Sequence, residues 1–83
     1  MNWIVNIYKD DRGSLTSYSR AFKDEDDAYD FFELEIKDEF LYEIQQGLVT
    51  DQEIQNIISN NMYRYEDDNK EIEISIAEVN EKD

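Results

Sequence analysis

The chain is expected to fold as an α+β domain: an antiparallel sheet of three or four strands with two helices on one face, in the order ββααββ or ββααβ. Three observations lead there. Residues 3–9 form a β-branched and aromatic run near the start of the chain, and residues 71–79 form an alternating run near its end. Between them, apolar residues recur at helical spacing from about residue 24 onward. The length of 83 residues holds one domain, spanning 1–83, with one small core, since a chain this size buries only about 60% of its unfolded surface.

The first run (Trp3-Ile4-Val5-Asn6-Ile7-Tyr8-Lys9) leads into Asp10-Asp11-Arg12-Gly13, a turn in which Gly13 can take the positive φ that hairpins need. Residues 14–22 read as the returning strand, with Thr16, Tyr18, Arg20 and Phe22 on one face and Leu15 and Ala21 on the other. Asp24 is placed as the N-cap of a helix whose first turn carries three further acids, where the helix dipole favours negative charge. Ala28, Tyr29, Phe31, Phe32 and Ile36 share one side of it, while Phe40, Leu41 and Ile44 lie about 120° further round. That rotation implies a kink, two helices, or one helix serving two neighbours. The last is the expectation, with the first half on the sheet and the second half against another helix.

Gly47 is expected just past the end of this segment. Thr50-Asp51-Gln52-Glu53 fits a capping box ahead of Ile54, Ile57, Ile58 and Met62, which gives a second, shorter helix. Residues 63–65 either start a third strand or stay in the helix or loop, before a turn at 66–70. In the final run Ile72, Ile74 and Ile76 face one way and Glu71, Glu73 and Ser75 the other, the pattern of a half-buried strand. Residues 80–83 are expected to be a loose tail.

Eleven aromatic residues argue for a folded domain despite a net charge of −14. Trp3, Tyr8, Tyr18, Tyr63 and Tyr65 exceed what so small a core needs, and some are candidates for exposed interface anchors. With no cysteine, no basic leader ahead of Trp3 and no apolar run near the roughly 20 residues that cross a bilayer, the expectation is a cytoplasmic protein without membrane contact.

Enzymatic chemistry finds little support. The absence of His and Cys removes nucleophilic triads, thiolate chemistry and the usual zinc ligand sets. The two glycines, Gly13 and Gly47, have no phosphate-loop neighbours. Asp26-Asp27-Ala28-Tyr29-Asp30 spells D-D-x-x-D, but the chain is too short for the cavity that motif serves. Asp24, Asp26, Asp30 and Glu35 fall in an EF-hand register with Tyr29 where the turn needs glycine. No enzyme, cofactor or metal site is therefore expected. The eight basic residues are scattered, so direct nucleic-acid binding is not expected either.

The acids are the main clue. Ten of the twenty residues from Asp24 to Glu43 are acidic, and Lys37 is the one basic residue among them. On a helix of about 30 Å they place one carboxylate per roughly 3 Å of axis, comparable to the phosphate every roughly 3.4 Å along one strand of duplex DNA. Like charges at Asp26/Asp30, Glu35/Glu39 and Glu39/Glu43 repel by a few tenths of a kcal/mol each, and Glu33/Lys37 is almost the sole compensating pair. The bland reading is a solvated helix face that promotes solubility. The functional reading is a surface for a basic partner, built from Asp24, Glu25, Asp26, Asp27, Asp30, Glu33, Asp38 and Glu39 and extended by Glu66, Asp67 and Asp68.

In size, charge pattern and lack of catalytic residues the chain resembles the small acidic DNA-mimic inhibitors of phages and mobile elements, including anti-CRISPR and antirestriction proteins. The resemblance lies in the charge pattern of Asp24 to Glu43 and Glu66 to Glu73. It implies blockade of the DNA-binding site of a nuclease or guide complex, with release of counterions and action in the host cytoplasm. Two alternatives stand beside it: an immunity protein that neutralises a basic nuclease, and an acidic regulatory or protein-interaction domain with another kind of partner. The oligomeric state is left open.

Overall fold

In the computed structural model, which describes residues 2–79, the chain forms β1 (Asn2–Asp11), β2 (Ser14–Phe22), α1 (Glu25–Glu39), α2 (Leu41–Gln45), α3 (Asp51–Ser59), β3 (Met62–Glu66) and β4 (Lys70–Val79). The expected tail at 80–83 lies outside the described residues. The sheet order is β2-β1-β4-β3, antiparallel throughout, so the chain leaves one edge at β2, crosses one face as helices and returns at the opposite edge as β3. The α+β class, the antiparallel sheet and the four-strand alternative are as expected. The helix count is three rather than two.

Turn chemistry sets the strand register. Arg12 and Gly13 form a two-residue loop with φ of 54° and 88°, the positive pair that matches the twist of a hairpin. Gly13 N–H donates to Asp10 Oδ1 at 3.0 Å, and Arg12 N–H donates to the Asn69 carbonyl at 2.8 Å, tying this loop to the β3–β4 turn. In that second turn Asp67 N–H reaches the Lys70 carbonyl and Asn69 N–H reaches Asp67 Oδ1, both at 2.8 Å. The central strands then pair over their full ten residues, with Val5 opposite Ile76 and Ile7 opposite Ile74.

Because side chains alternate, Val5, Ile7, Ile72, Ile74 and Ile76 all point to the same face, where Ala28, Phe32 and Ile36 of α1 and Ile54 and Ile58 of α3 meet them. The i, i+4, i+8 spacing of Ala28, Phe32 and Ile36 lays one stripe of α1 on the sheet. At its N-terminal end the Trp3 ring lies 5.6 Å from Tyr29, and Tyr29 O–H donates to Asn61 Oδ1 at 2.7 Å. Among the described residues no helix lies on the opposite face of the sheet.

The expectation of one long helix serving two neighbours is corrected. Helix α1 ends at Glu39, and Phe40, with φ −104° and ψ 15°, separates it from α2. The cause is the apolar rotation itself: Phe40 turns inward to pack edge-on against Tyr63, with ring centroids 5.1 Å apart, and a continuous helix would carry the next residues away from that contact. The helix restarts with Ile44 N–H donating to the Phe40 carbonyl at 2.8 Å. The second half does not hold another helix in the expected way either, since α2 buries no residue and α3 packs against α1 and β3. Gly47 (φ 70°) ends α2 with Gly47 N–H on the Ile44 carbonyl at 3.2 Å and Leu48 N–H on the Glu43 carbonyl at 2.8 Å, a Schellman closure. Thr50 Oγ1 accepts from Glu53 N–H at 3.2 Å and starts α3 where the capping pattern placed it. Among the described residues no helix is long and apolar enough to cross a membrane.

Candidate partner-binding surface

Asp24 is the N-cap of α1, its Oδ1 accepting from Asp26 N–H at 3.0 Å. This bond satisfies one of the unpaired amides at the helix start and fixes Glu25, Asp26 and Asp27 in the first turn, where the dipole stabilises them. With Ala28, Phe32 and Ile36 turned to the core, Asp26 and Asp30 fall along one outer flank and Asp27 and Asp38 along the other. All of Asp24, Glu25, Asp26, Asp27, Asp30 and Asp38 are exposed. Among the described residues none of these six has a cation within 4.0 Å.

The remaining acids of α1 are arranged differently. Glu33 is paired with Lys37 at 2.8 Å across one helical turn. Glu35 and Glu39 lie close to the core stripe and meet Lys9, which reaches up from β1 to make a close ion pair with Glu39 and a longer one, 3.9 Å, with Glu35. The Glu39 side chain keeps only 11% of its surface exposed. Burial pulls the Lys9 ammonium down, but the hydrogen bond and charge of Glu39, with the charges of Glu35 and Asp38 behind it, outweigh that and hold it above its ordinary pKa. Glu35 also accepts from the Tyr18 hydroxyl at 3.3 Å; slight burial and then the Glu35 carboxylate raise the Tyr18 pKa.

The loop acids form a separate group at the far end of the sheet. Glu66 lies 3.7 Å from Arg64. Asp67 accepts from the Tyr65 hydroxyl at 2.7 Å and from Asn69 N–H, which hold its carboxyl below the usual range. Asp68 is exposed and makes no such contact. A groove lined by Glu39, Phe40, Glu43, Tyr65, Asp67 and Lys70 links this group to the end of α1. The expected site residues therefore do not form one ladder. Asp24 to Asp30 gather at the start of α1, Glu33 and Glu39 are engaged with lysines, and Glu66 to Asp68 stand beyond the other end of the helix.

Two features had escaped the sequence reading. Lys9 is the counter-ion of α1; the signal was the i, i+4 placement of Glu35 and Glu39 beside the Phe32–Ile36 stripe, which needs an inward-facing cation. Leu34, Leu41 and Ile44 line an open groove of about 580 Å³ on the outer side of α1 and α2, with Asp38 and Lys37 at its margin. Leu34 and Leu41 are 64% and 53% exposed. Of the five surplus aromatics, Tyr18 and Tyr65 are exposed, whereas Trp3, Tyr8 and Tyr63 are half-buried.

Among the described residues no three acidic side chains converge as a metal site. No protein-family model matches the chain, and no curated protein or solved structure matches it.

Proposed function

We propose that this protein is a non-enzymatic inhibitor that acts in the cytoplasm by presenting its acidic surface in place of nucleic acid, occupying the DNA-binding site of a basic nuclease such as a CRISPR effector or a restriction enzyme. One observation carries the reading: six exposed carboxylates on α1 and its cap have no cation of their own among the described residues. Carboxylates held on the outer flanks of a capped helix are preorganised for Lys and Arg, and they steer a basic partner at long range. The Leu34–Leu41–Ile44 groove beside it supplies apolar surface that a desolvated contact can use. An immunity protein that neutralises a basic nuclease would work by the same physics.

The groove also favours a second reading. A phosphate backbone offers nothing apolar, so a partner that buries Leu34 and Leu41 recognises more than charge, as an acidic regulatory domain would. A pull-down from native host lysate with a salt-gradient elution separates the two. The comparison variant carries Asp26→Lys, Asp27→Lys and Asp30→Lys, which spare the Glu33–Lys37 and Lys9 pairs. On the inhibitor reading a nucleic-acid enzyme elutes late from the wild type, is displaced by duplex DNA and is missing from the variant. A partner that ignores DNA and holds equally to the variant sinks that reading in favour of the interaction domain.

A further inference from the structure

The charge of the chain is segregated in a way that its total conceals. From Arg12 to Lys23 there are three basic residues and no acid, in a protein of net charge −14. That stretch is β2 with its flanks, and β2 is an edge of the sheet. Strand β2, which carries no acid of its own, is thus also an edge with unpaired backbone.

The two edges of the sheet differ. Strand β3 has five residues, with Arg64 and Glu66 on it, the short and charged form that blunts an edge. Strand β2 has nine residues in unbroken register with β1, without proline or bulge. Asp11 and Ser14 close a two-residue hairpin, so Ser14, Thr16, Tyr18, Arg20 and Phe22 exchange hydrogen bonds with β1. The N–H and C=O groups of Leu15, Ser17, Ser19 and Ala21 consequently point away from the sheet. The cation that sits on β2 itself is held back from this edge: Arg20 lies over the rings of Phe22 and Phe31, at 5.2 and 5.1 Å.

We propose that two copies of this chain join through β2, antiparallel about a twofold axis through Tyr18, to make a continuous eight-stranded sheet. The register is self-compatible. Tyr18 stands opposite Tyr18 of the partner subunit on the helix side, at a non-hydrogen-bonded position where cross-strand side chains are closest. Ser17 pairs with Ser19 of the partner subunit and Leu15 with Ala21 of the partner subunit, giving roughly eight backbone hydrogen bonds. Arg20 faces Thr16 of the partner subunit, so no like charges oppose each other. An acid on β2 would set two strongly negative molecules against each other at strand spacing, about 4.8 Å, and β2 has none; the Glu35 carboxylate that accepts from Tyr18 is matched by Lys9. Because the axis is perpendicular to the sheet, both helix layers fall on the same side. This inference does not depend on the inhibitor reading.

Sedimentation equilibrium of the full chain at about 0.1 M and about 0.5 M NaCl tests it. The expected result is a species of twice the 10.0 kDa chain mass, more populated at the higher salt because screening relieves repulsion between the two acidic bodies. Ser17→Pro removes an outward N–H while leaving the β1 ladder intact, and it should raise the dimer dissociation constant by about tenfold or more, with the melting temperature unchanged at dilutions where the wild type is monomeric. Should that variant fail to fold, Ser17→Glu puts an acid on the seam and should do the same. A wild type that stays monomeric at the higher salt, or a dimer indifferent to both substitutions, overturns the proposal. So would larger species that form at low salt and dissolve at high salt, since these would mean that the acid-free edge meets α1 of a neighbour in an open, head-to-tail array.

Discussion

The two halves of α1 carry acids at similar density and use them in opposite ways. From Asp24 to Asp30 the carboxylates face solvent without cations among the described residues, while Glu33, Glu35 and Glu39 are matched by Lys37 and Lys9. The first half makes an external field at a cost in self-repulsion. The second half, Asp38 apart, uses its charge within the fold: Glu33 pairs along the helix with Lys37, and Glu35 and Glu39 join the helix to β1 through Lys9. Net charge counted along a sequence therefore overstates the negative surface on offer to a partner, and it misplaces its centre towards the C-terminal half.

The largest expected effect removes the contrast from the structural side. Lys9→Met leaves Glu35 and Glu39 facing each other one turn apart without a cation, and it should cost about 2 kcal/mol in urea unfolding, between the values for exposed and for buried pairs. The same pair has a pH signature. A lysine whose folded pKa is raised contributes stability that is complete below its unfolded value, near 10.5, and is lost as pH rises through the folded value. Tyr18, Tyr63 and Tyr65 are raised as well and add to the same alkaline limb. The part due to Lys9 is the difference between wild-type and Lys9→Met melting curves above about pH 10, and no difference there would mean that the pair is not formed in solution.

A smaller effect is expected at the start of the free half. Asp24→Ala removes the N-cap and should cost about 1 kcal/mol in thermal unfolding, together with some order in the first turn that carries Asp26 and Asp27. The smallest pair of effects is the most diagnostic because its signs are opposite. Asp30→Asn relieves repulsion from Asp26 and should stabilise by about 0.3 kcal/mol, whereas Lys37→Gln strands Glu33 and should destabilise by a similar amount. Both should shrink in about 1 M salt, where the Debye length is about 3 Å. Equal signs would mean that the two halves do not differ electrostatically.

What could be read in advance was what neighbouring residues decide. The alternation of Ile72, Ile74 and Ile76, the Thr50 cap, the positive φ at Gly13 and the Asp24 cap depend on chemistry within a few residues, and each appears where the sequence placed it. The break at Phe40 was visible as a rotation of the apolar face, but whether a helix twists through such a rotation or stops depends on Tyr63, a residue on another element. Lys9 is likewise distant in sequence from Glu35 and Glu39, so the local pattern sets those two carboxylates beside the core stripe, unlike Asp26 and Asp30, but does not identify the cation that meets them. Burial of charge is a tertiary property, and it divides the candidate surface in two.

The contact between Trp3 and Tyr29 has a practical consequence. Trp3 is the sole tryptophan of the chain, it lies on β1, and the ring it meets belongs to α1. Its emission is therefore an intrinsic optical gauge of whether the acidic helix is seated on the sheet. An undocked α1 would expose the indole to water and shift its spectrum, while changes confined to α2 or to the β3–β4 turn would leave it untouched. Seating of the helix can thus be followed during titration or mixing without adding a label to a surface whose charge is the property of interest.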